Sequence, residues 1–161
     1  MKTGAVLETA PVFKWRTEMA KLQASITINR PPEEVFTFAV DTANAAKWQE
    51  GIVEAKVTSS GAVGVGTTYH YVVKAMGQKL DTTGEITAWE PPKTYAWKAT
   101  SGPFPMSGGI ACEAVEGGTR ITQTINAEPG GFFKLTEPLL MSQQQGQMTT
   151  DLKKLKEILE K

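Results

Sequence analysis

The sequence predicts an α+β protein in which an antiparallel sheet is covered by one long C-terminal helix. Two observations lead to this prediction: strand-like alternation recurs in hairpin succession over residues 52–127, and a helical period over residues 141–159 predicts one long amphipathic helix within residues 131–161. Strands joined by hairpins form an antiparallel sheet. A long amphipathic helix is not stable by propensity alone, so it must lie against something, and the sheet is the available surface.

The chain between the N-terminal region and the main run of strands is predicted to form one strand and two short helices. Ala24–Asn29 alternates like a strand, and the Arg-Pro-Pro sequence at 30–32 ends it. Proline followed by two glutamates suits the first turn of a helix over 33–40. The Asp-Thr pair at 41–42 offers a cap for a second short helix that extends through Trp48.

Six further strands are predicted, separated by turns rich in glycine and proline. They run over Ile52–Thr58, Thr67–Lys74, Lys79–Trp89, Tyr95–Ser101, Gly108–Val115 and Arg120–Ala127. The segment 61–66 contains alternating glycines, but no Lys-Ser/Thr pair follows and the next element is a strand, so a turn is predicted there rather than a phosphate loop. The glycine pairs at 108–109 and 117–118 are also interpreted as turns.

The final helix carries an apolar stripe whose composition changes along its length. At a helical period the stripe contains Met141, Gln145, Met148, Leu152, Leu155 and Leu159. Its first half is adaptable and partly polar, whereas its second half is aliphatic. This change predicts a helix that closes a cavity with its first half and packs on a solid core with its leucines. Any flexing is expected at Gly146, a weak helix former.

Composition limits the function classes. The chain has 161 residues and equal numbers of basic and acidic side chains, 17 each, which argues against a nucleic-acid partner or an anionic membrane surface. No segment has the roughly 18 apolar residues that a membrane span needs. A single cysteine fits a reducing compartment, so a cytoplasmic protein is expected. We expect a loosely ordered arm or added strand at 1–19, one domain at 20–161, and a monomer or homodimer.

Several local motifs accompany this order of elements. They are Arg30-Pro31-Pro32-Glu33-Glu34-Val35-Phe36, the Asp41 to Trp48 spacing, Val63-Gly64-Val65-Gly66-Thr67, Trp89-Glu90-Pro91-Pro92 with Tyr95-Ala96-Trp97, Gly117-Gly118-Thr119-Arg120 and Leu152-Lys153-Lys154-Leu155-Lys156. In combination they resemble the START/polyketide-cyclase superfamily (SRPBCC), which includes the birch-pollen allergens and small bacterial cyclases. The resemblance spans about residue 24 to the end. It implies a helix-grip fold, in which a curved antiparallel sheet of about seven strands wraps around the C-terminal helix and leaves a hydrophobic cavity.

Strand phase predicts which side chains face that cavity. A lysine on a strand is expected to face solvent, so Lys74 and Lys98 orient their strands. The same alternation puts His70, the only histidine, on the solvent face. The predicted ligand-binding residues are Tyr69, Tyr71, Trp97, Cys112, Gln123, Met141, Gln145 and Met148, and the resemblance adds Trp48 at the cavity mouth. The two buried glutamines are expected to pair with each other, with backbone or water, or with a ligand.

No complete catalytic constellation stands out. Cys112 has no base or cation predicted beside it, so a small buried hydrophobe is the simpler interpretation. With one histidine and one cysteine, neither a metal site nor a cofactor is expected.

Three functions remain open on the sequence. The first is binding of a hydrophobic or aromatic small molecule, of lipid or polyketide type, in a cavity between the sheet and the C-terminal helix, without catalysis. The second is a polyketide cyclase or dehydratase that uses Tyr69, Tyr71 and Gln123 as hydrogen-bonding groups. The third is a protein-interaction domain whose cavity is filled by side chains.

Overall fold

A computed structural model describes residues 20–75, 77–102, 105–127 and 138–161, with backbone alone at 20, 75 and 138–141. The predicted N-terminal arm at 1–19 lies outside the described residues. The elements are β1 Ala20–Ile28, α1 Pro32–Val40, a 3-10 turn Thr42–Asn44, α2 Ala45–Trp48, β2 Ile52–Val57, β3 Thr68–Ala75, β4 Gln78–Glu90, β5 Thr94–Ser101, β6 Met106–Val115, β7 Gly118–Ala127 and α3 Pro138–Leu159.

The strands form one seven-stranded antiparallel sheet in the order β1-β7-β6-β5-β4-β3-β2. Among the described strands, only the β1–β7 pairing joins strands that are distant in sequence, and the other neighbours follow each other along the chain. The two short helices and the 3-10 turn connect the two edge strands, β1 and β2. The predicted α+β fold class is confirmed: a curved antiparallel sheet holds a long C-terminal helix in a helix-grip arrangement.

The helices after β1 begin where local chemistry favours them. Pro32 occupies the start of α1, and the Arg30 Nε lies 3.4 Å from the Glu34 carboxylate. The predicted cap at Asp41 starts the 3-10 turn that precedes α2, since its Oδ1 accepts a hydrogen bond of 2.9 Å from the Ala43 amide. The buried side chains of α1 are Val35, Phe36 and Ala39, and they pack in the core.

The core lies between the concave face of the sheet, α1, α2 and the second half of α3. Its fully buried large side chains are Val35, Phe36, Ile28, Trp48, Ile121, Leu152 and Leu155. The predicted leucine anchor is confirmed, because Leu152 and Leu155 are 1% and 0% exposed and Leu159 packs against the same cluster. At about 1.5–3 kcal/mol for each fully buried side chain, these leucines hold the second half of α3 to the sheet.

One prediction about turns is wrong. Gly108 and Gly109 lie inside β6, and only the 117–118 pair stands at a hairpin turn. A Cβ on Gly108 would lie 2.8 Å from the Trp97 ring and 2.5 Å from the Thr124 carbonyl oxygen. Glycine is needed at position 108 because two neighbouring groups occupy the space of a side chain. The sequence alone does not show this, since a glycine pair is also a common turn signal.

Candidate functional site

A cleft of about 340 Å³ opens between α1 and the sheet. Its walls are mainly apolar and come from α1, the 3-10 turn, the segment after β2, and strands β2 to β5. The lining residues are Phe36, Thr37, Val40, Asp41, Thr42, Val57, Val63, Thr67, Tyr69, Ile86, Trp89, Pro91 and Tyr95. This volume falls at the lower end of the range that small-molecule sites occupy.

Aromatic rings form one continuous wall of the cleft. Trp89 packs against Phe36 with ring centroids 5.5 Å apart, and it meets Tyr95 edge to face at 6.1 Å. Trp89 and Tyr95 are directly opposite each other on β4 and β5, so the sheet register itself brings their rings together. The wall offers flat apolar faces of the kind that bind rings or acyl chains.

The three tyrosines of the chain form a cluster at the cleft. The rings of Tyr69 and Tyr71 lie 5.0 Å apart, and Tyr95 lines the same cleft as Tyr69. Burial is the largest cause that raises the pKa of Tyr69, Tyr71 and Tyr95 above the ordinary tyrosine value. All three are therefore protonated at neutral pH, which makes them hydrogen-bond donors and poor bases.

Gly84 is not singled out by the sequence analysis, yet it shapes this cluster. It lies directly opposite Tyr69 in the β3–β4 ladder. A Cβ on Gly84 would lie 2.7 Å from the Lys98 carbonyl oxygen and 3.1 Å from two carbons of the Tyr69 ring. The glycine thus lets the ring lie flat on the sheet, as Gly108 does for Trp97. The sequence did offer one signal for this role, because a lone glycine inside a strand pattern indicates a bulge or a close approach of another group.

The predicted ligand-binding residues divide between the cleft and the core beneath α3. Tyr69 lines the cleft and Tyr71 adjoins it. Trp97 is half-buried beside Gly108, and Cys112 is buried. Burial raises the pKa of the Cys112 thiol to about 11, so it is a neutral thiol at physiological pH. Most of the lining side chains were not among the predicted site residues.

A second group of predicted residues surrounds a buried polar spot under α3. Gln123 is 8% exposed, and its Nε2 donates to Gln49 Oε1 at 3.4 Å. The Oε1 of Gln123 and the Nε1 of the fully buried Trp48 have no hydrogen-bond partner among the described residues. Met148, 5% exposed, belongs to the same core cluster. Trp48 thus lies in the core and is not among the residues that line the cleft.

Gln145 has a structural partner, and the side chain of Met141 lies outside the described residues. Gln145 Nε2 donates to the Gln23 carbonyl oxygen at 2.6 Å, and its Oε1 accepts from the Gln23 amide at 3.4 Å. Of the alternatives for the glutamines, Gln145 therefore pairs with backbone.

His70 lies on the solvent face of the sheet, as predicted. Its Nε2 lies 2.8 Å from the Asp81 Oδ1. Within the described part of the chain, no three His, Cys, Asp or Glu side chains gather as metal ligands would. None of its helices combines the length and apolarity needed to cross a membrane.

Solved structures share this architecture across nearly the whole domain. A protein of Thermus thermophilus superposes with a TM-score of 0.73 at 23% identity, covering 86% of this chain and 95% of that one. A START superfamily protein from Mycobacterium smegmatis gives a TM-score of 0.72 at 10% identity, covering 86% and 98%. The ZhuI aromatase/cyclase from Streptomyces gives 0.70 at 14% identity, covering 88% and 94%.

At these identities the structural likeness shows the fold alone. A comparison with curated proteins finds no match. A family model described as polyketide cyclase/dehydrase and lipid transport matches residues 19–160, which is almost the whole chain. The chain therefore belongs to the polyketide cyclase/dehydrase and lipid transport family.

Proposed function

We propose that the protein binds a hydrophobic small molecule with aromatic character, of lipid or polyketide type, in the cleft between α1 and the sheet. The observation that carries this proposal is the cleft itself, about 340 Å³ with an aromatic wall of Phe36, Trp89 and Tyr95. The family includes lipid transport and polyketide cyclisation, and both act on largely apolar molecules. An interior filled by side chains, as a pure interaction domain would have, fits this cleft less well.

The polar groups of the cleft narrow the ligand class. Tyr69 and Tyr95 line it, and both keep their hydroxyl protons at neutral pH, since the ordinary tyrosine pKa lies well above 7 and burial raises it further. Protonated hydroxyls in an apolar wall favour a ligand that presents a carbonyl or phenol oxygen. A quinone or an aromatic polyketide meets this requirement better than a plain alkane.

The binding test uses two valines on one loop. Val63 lines the cleft and is 42% exposed, whereas Val65 is 70% exposed and does not line it. Calorimetric titration with fatty acids, quinones and aromatic polyketides should identify a ligand of the wild-type protein. Val63→Trp should weaken its binding at least about tenfold, or about 1.4 kcal/mol, because the indole enters the cleft mouth. Val65→Trp is the matched control and should bind as the wild type does.

Two outcomes would contradict the proposal. One is a wild-type protein that binds no member of the panel. The other is a ligand whose affinity falls equally in both tryptophan variants, because the site would then lie elsewhere or the loop would act through folding.

A cyclase or dehydratase activity is the second candidate, and the tyrosine cluster is the observation that favours it. Three protonated hydroxyls at one place are able to hold a folded polyketide and stabilise charge that develops on a carbonyl oxygen. Their raised pKa values make them poor general bases, so the proposal gives them hydrogen-bond donation rather than proton abstraction.

The enzymatic alternative has its own test. With a substrate in hand, Tyr71→Phe should lower turnover while circular dichroism and ligand affinity stay near wild type. Gln123→Leu probes the buried polar spot in the same assay. If neither variant changes turnover, these residues have no catalytic part.

We also propose that the protein is cytoplasmic.

A further inference from the structure

The two edges of the sheet are treated differently by the rest of the chain. Along β1, side chains of α3 bind the outward-facing backbone: Gln145 pairs with Gln23, and Lys156 Nζ donates to the Thr27 carbonyl oxygen at 2.9 Å. Along β2, β3 supplies the strand pairing on one side. α2 and the 3-10 turn also lie near β2, yet Val53 and Val57 remain 44% and 39% exposed.

The register shows which backbone groups of β2 face outward. Thr58 donates its amide to the Thr68 carbonyl oxygen at 2.8 Å, so position 58 is hydrogen-bonded to β3. Hydrogen-bonded and non-hydrogen-bonded positions alternate along an antiparallel pair. Lys56 and Glu54 therefore bond to β3, whereas the N–H and C=O groups of Ala55 and Val57 point away from it. Among the described residues, those outward groups have no strand partner.

The sequence of this edge is complementary to itself. Residues 53–57 read Val-Glu-Ala-Lys-Val. If two copies pair antiparallel about a two-fold axis at Ala55, each Glu54 stands opposite Lys56 of the other copy. The β2–β3 register shifts between Ile52 and Glu54, so Val53 lies at a β-bulge and the regular pairing covers residues 54–56. The same register makes Ala55 opposite Ala55 a hydrogen-bonded pair, because its backbone groups already face outward.

We infer that β2 is a homodimerisation edge, at which a second copy of this chain pairs antiparallel about Ala55. Glu54 and Lys56 have exposed side chains, 54% and 59%, whose carboxylate and ammonium are 3.8 Å apart within one strand. In the dimer both charges also gain opposite charges directly across the strand pair, which favours this register over slipped ones. An exposed strand edge can pair with a second strand, and the opposite charges of Glu54 and Lys56 favour pairing of this edge with another copy of itself.

The contact is small, so the dimer is expected to be weak. Its regular part joins residues 54–56 of each copy through two cross-strand ion pairs, and the exposed Val57 of each copy flanks it. Interfaces below the standard size give transient association, so we expect a dissociation constant in the micromolar range. Val57 also lines the cleft, so pairing places the second copy beside the cleft wall.

Sedimentation velocity over a concentration series from low micromolar to several hundred micromolar tests the inference. The wild-type protein should shift from monomer to dimer as the concentration rises. Lys56→Glu sets four carboxylates against each other across the axis and should abolish the dimer. The double swap Glu54→Lys with Lys56→Glu restores opposite charges across the axis and should bring the dimer back.

A backbone variant tests the same register without changing charge. Ala55→Pro removes an N–H that faces away from β3, so the β2–β3 ladder keeps its bonds while the central pair of the dimer is lost. Circular dichroism checks that each variant is folded. A wild-type protein that stays monomeric throughout, a dimer that survives Lys56→Glu, or a swap that fails to restore it would each overturn the inference.

Discussion

At the scale of single residues, two glycines of this chain have opposite roles. A Cβ at Gly84 would press on the Lys98 carbonyl oxygen and the Tyr69 ring, whereas a Cβ at Gly146 would meet nothing within 4 Å. Gly84 is glycine because the tyrosine cluster needs the space. Gly146 occupies an exposed position inside α3, where glycine costs conformational entropy and gains no contact.

The substitution Gly→Ala should therefore have opposite signs at the two sites. Gly84→Ala should lower the free energy of unfolding by about 1–3 kcal/mol through overpacking. Gly146→Ala should raise it by about 0.5–1 kcal/mol because alanine favours helix. Urea denaturation of both variants measures the difference. Equal effects would mean that the close contact at Gly84 is relieved without cost.

Asp151 is a buried carboxylate that links stability to pH. It is 9% exposed, accepts a hydrogen bond of 2.8 Å from Gln147 Nε2, and accepts another of 3.3 Å from the Glu50 amide. Burial raises its pKa and outweighs these two bonds; the Glu50 charge adds to the rise and Lys154 opposes it. Because the folded pKa is raised, the fold favours the protonated form. The stability that the protonated Asp151 carboxyl adds to the folded state is fully present below the ordinary aspartate pKa. It is lost as pH rises through the raised pKa of Asp151 in the folded protein.

Asp151→Asn should remove that part of the pH dependence. The amide oxygen still accepts the bonds from Gln147 and Glu50, and no buried charge remains. We expect the variant to be at least as stable as the wild type at neutral pH, with a smaller loss of stability from acid to neutral pH. Urea midpoints across that range measure it. Glu157→Gln, an equal charge change on an exposed residue of α3, should leave the wild-type slope.

At the scale of elements, side chains of α3 and of the residue after it bind backbone groups along the edge of β1 and just beyond its end. Gln145 near the start of α3 pairs with Gln23, while Lys156 and Glu160 near its end bind Thr27 and Asn29. The spacing follows the helical period, so one face of α3 satisfies the outward-facing backbone of the strand. The sequence predicts the attachment of α3 through its leucines. It does not predict this second attachment, because nothing in the sequence shows that Gln145 reaches a strand edge.

Removing the first attachment should expose that edge locally. Gln145→Ala should destabilise the protein by about 1 kcal/mol. It should also speed hydrogen exchange at the Gln23 amide, which donates to the Gln145 Oε1 in the structure. Gln144→Ala is the matched control, because Gln144 is exposed and makes no side-chain hydrogen bond to the described residues. Unchanged exchange at Gln23 in Gln145→Ala would show that this contact does not protect the edge.

At the scale of the whole molecule, the periodicity of the sequence predicts the fold but does not predict the position of the cleft. Alternation and the leucine stripe predicted the order of all the elements, because burial acts on every residue of a strand or helix. The position of the cleft depends on where α1 lies relative to β4 and β5, and no local sequence pattern contains that tertiary information. Phe36, for example, belongs to the helix predicted over 33–40, and the sequence does not show that it lines the cleft.

The single core predicts that the sheet and α3 unfold together. Leu155 is 0% exposed and belongs to one cluster with Trp48 from α2 and Ile121 from β7. Leu155→Ala should cost about 2–5 kcal/mol through lost burial and a residual cavity. Because one cluster joins the layers, the urea midpoints from helical circular dichroism and from tryptophan fluorescence should fall by the same amount. If helicity were lost first, α3 would be a separate cooperative unit, and ligand release would then be possible by loosening that helix alone.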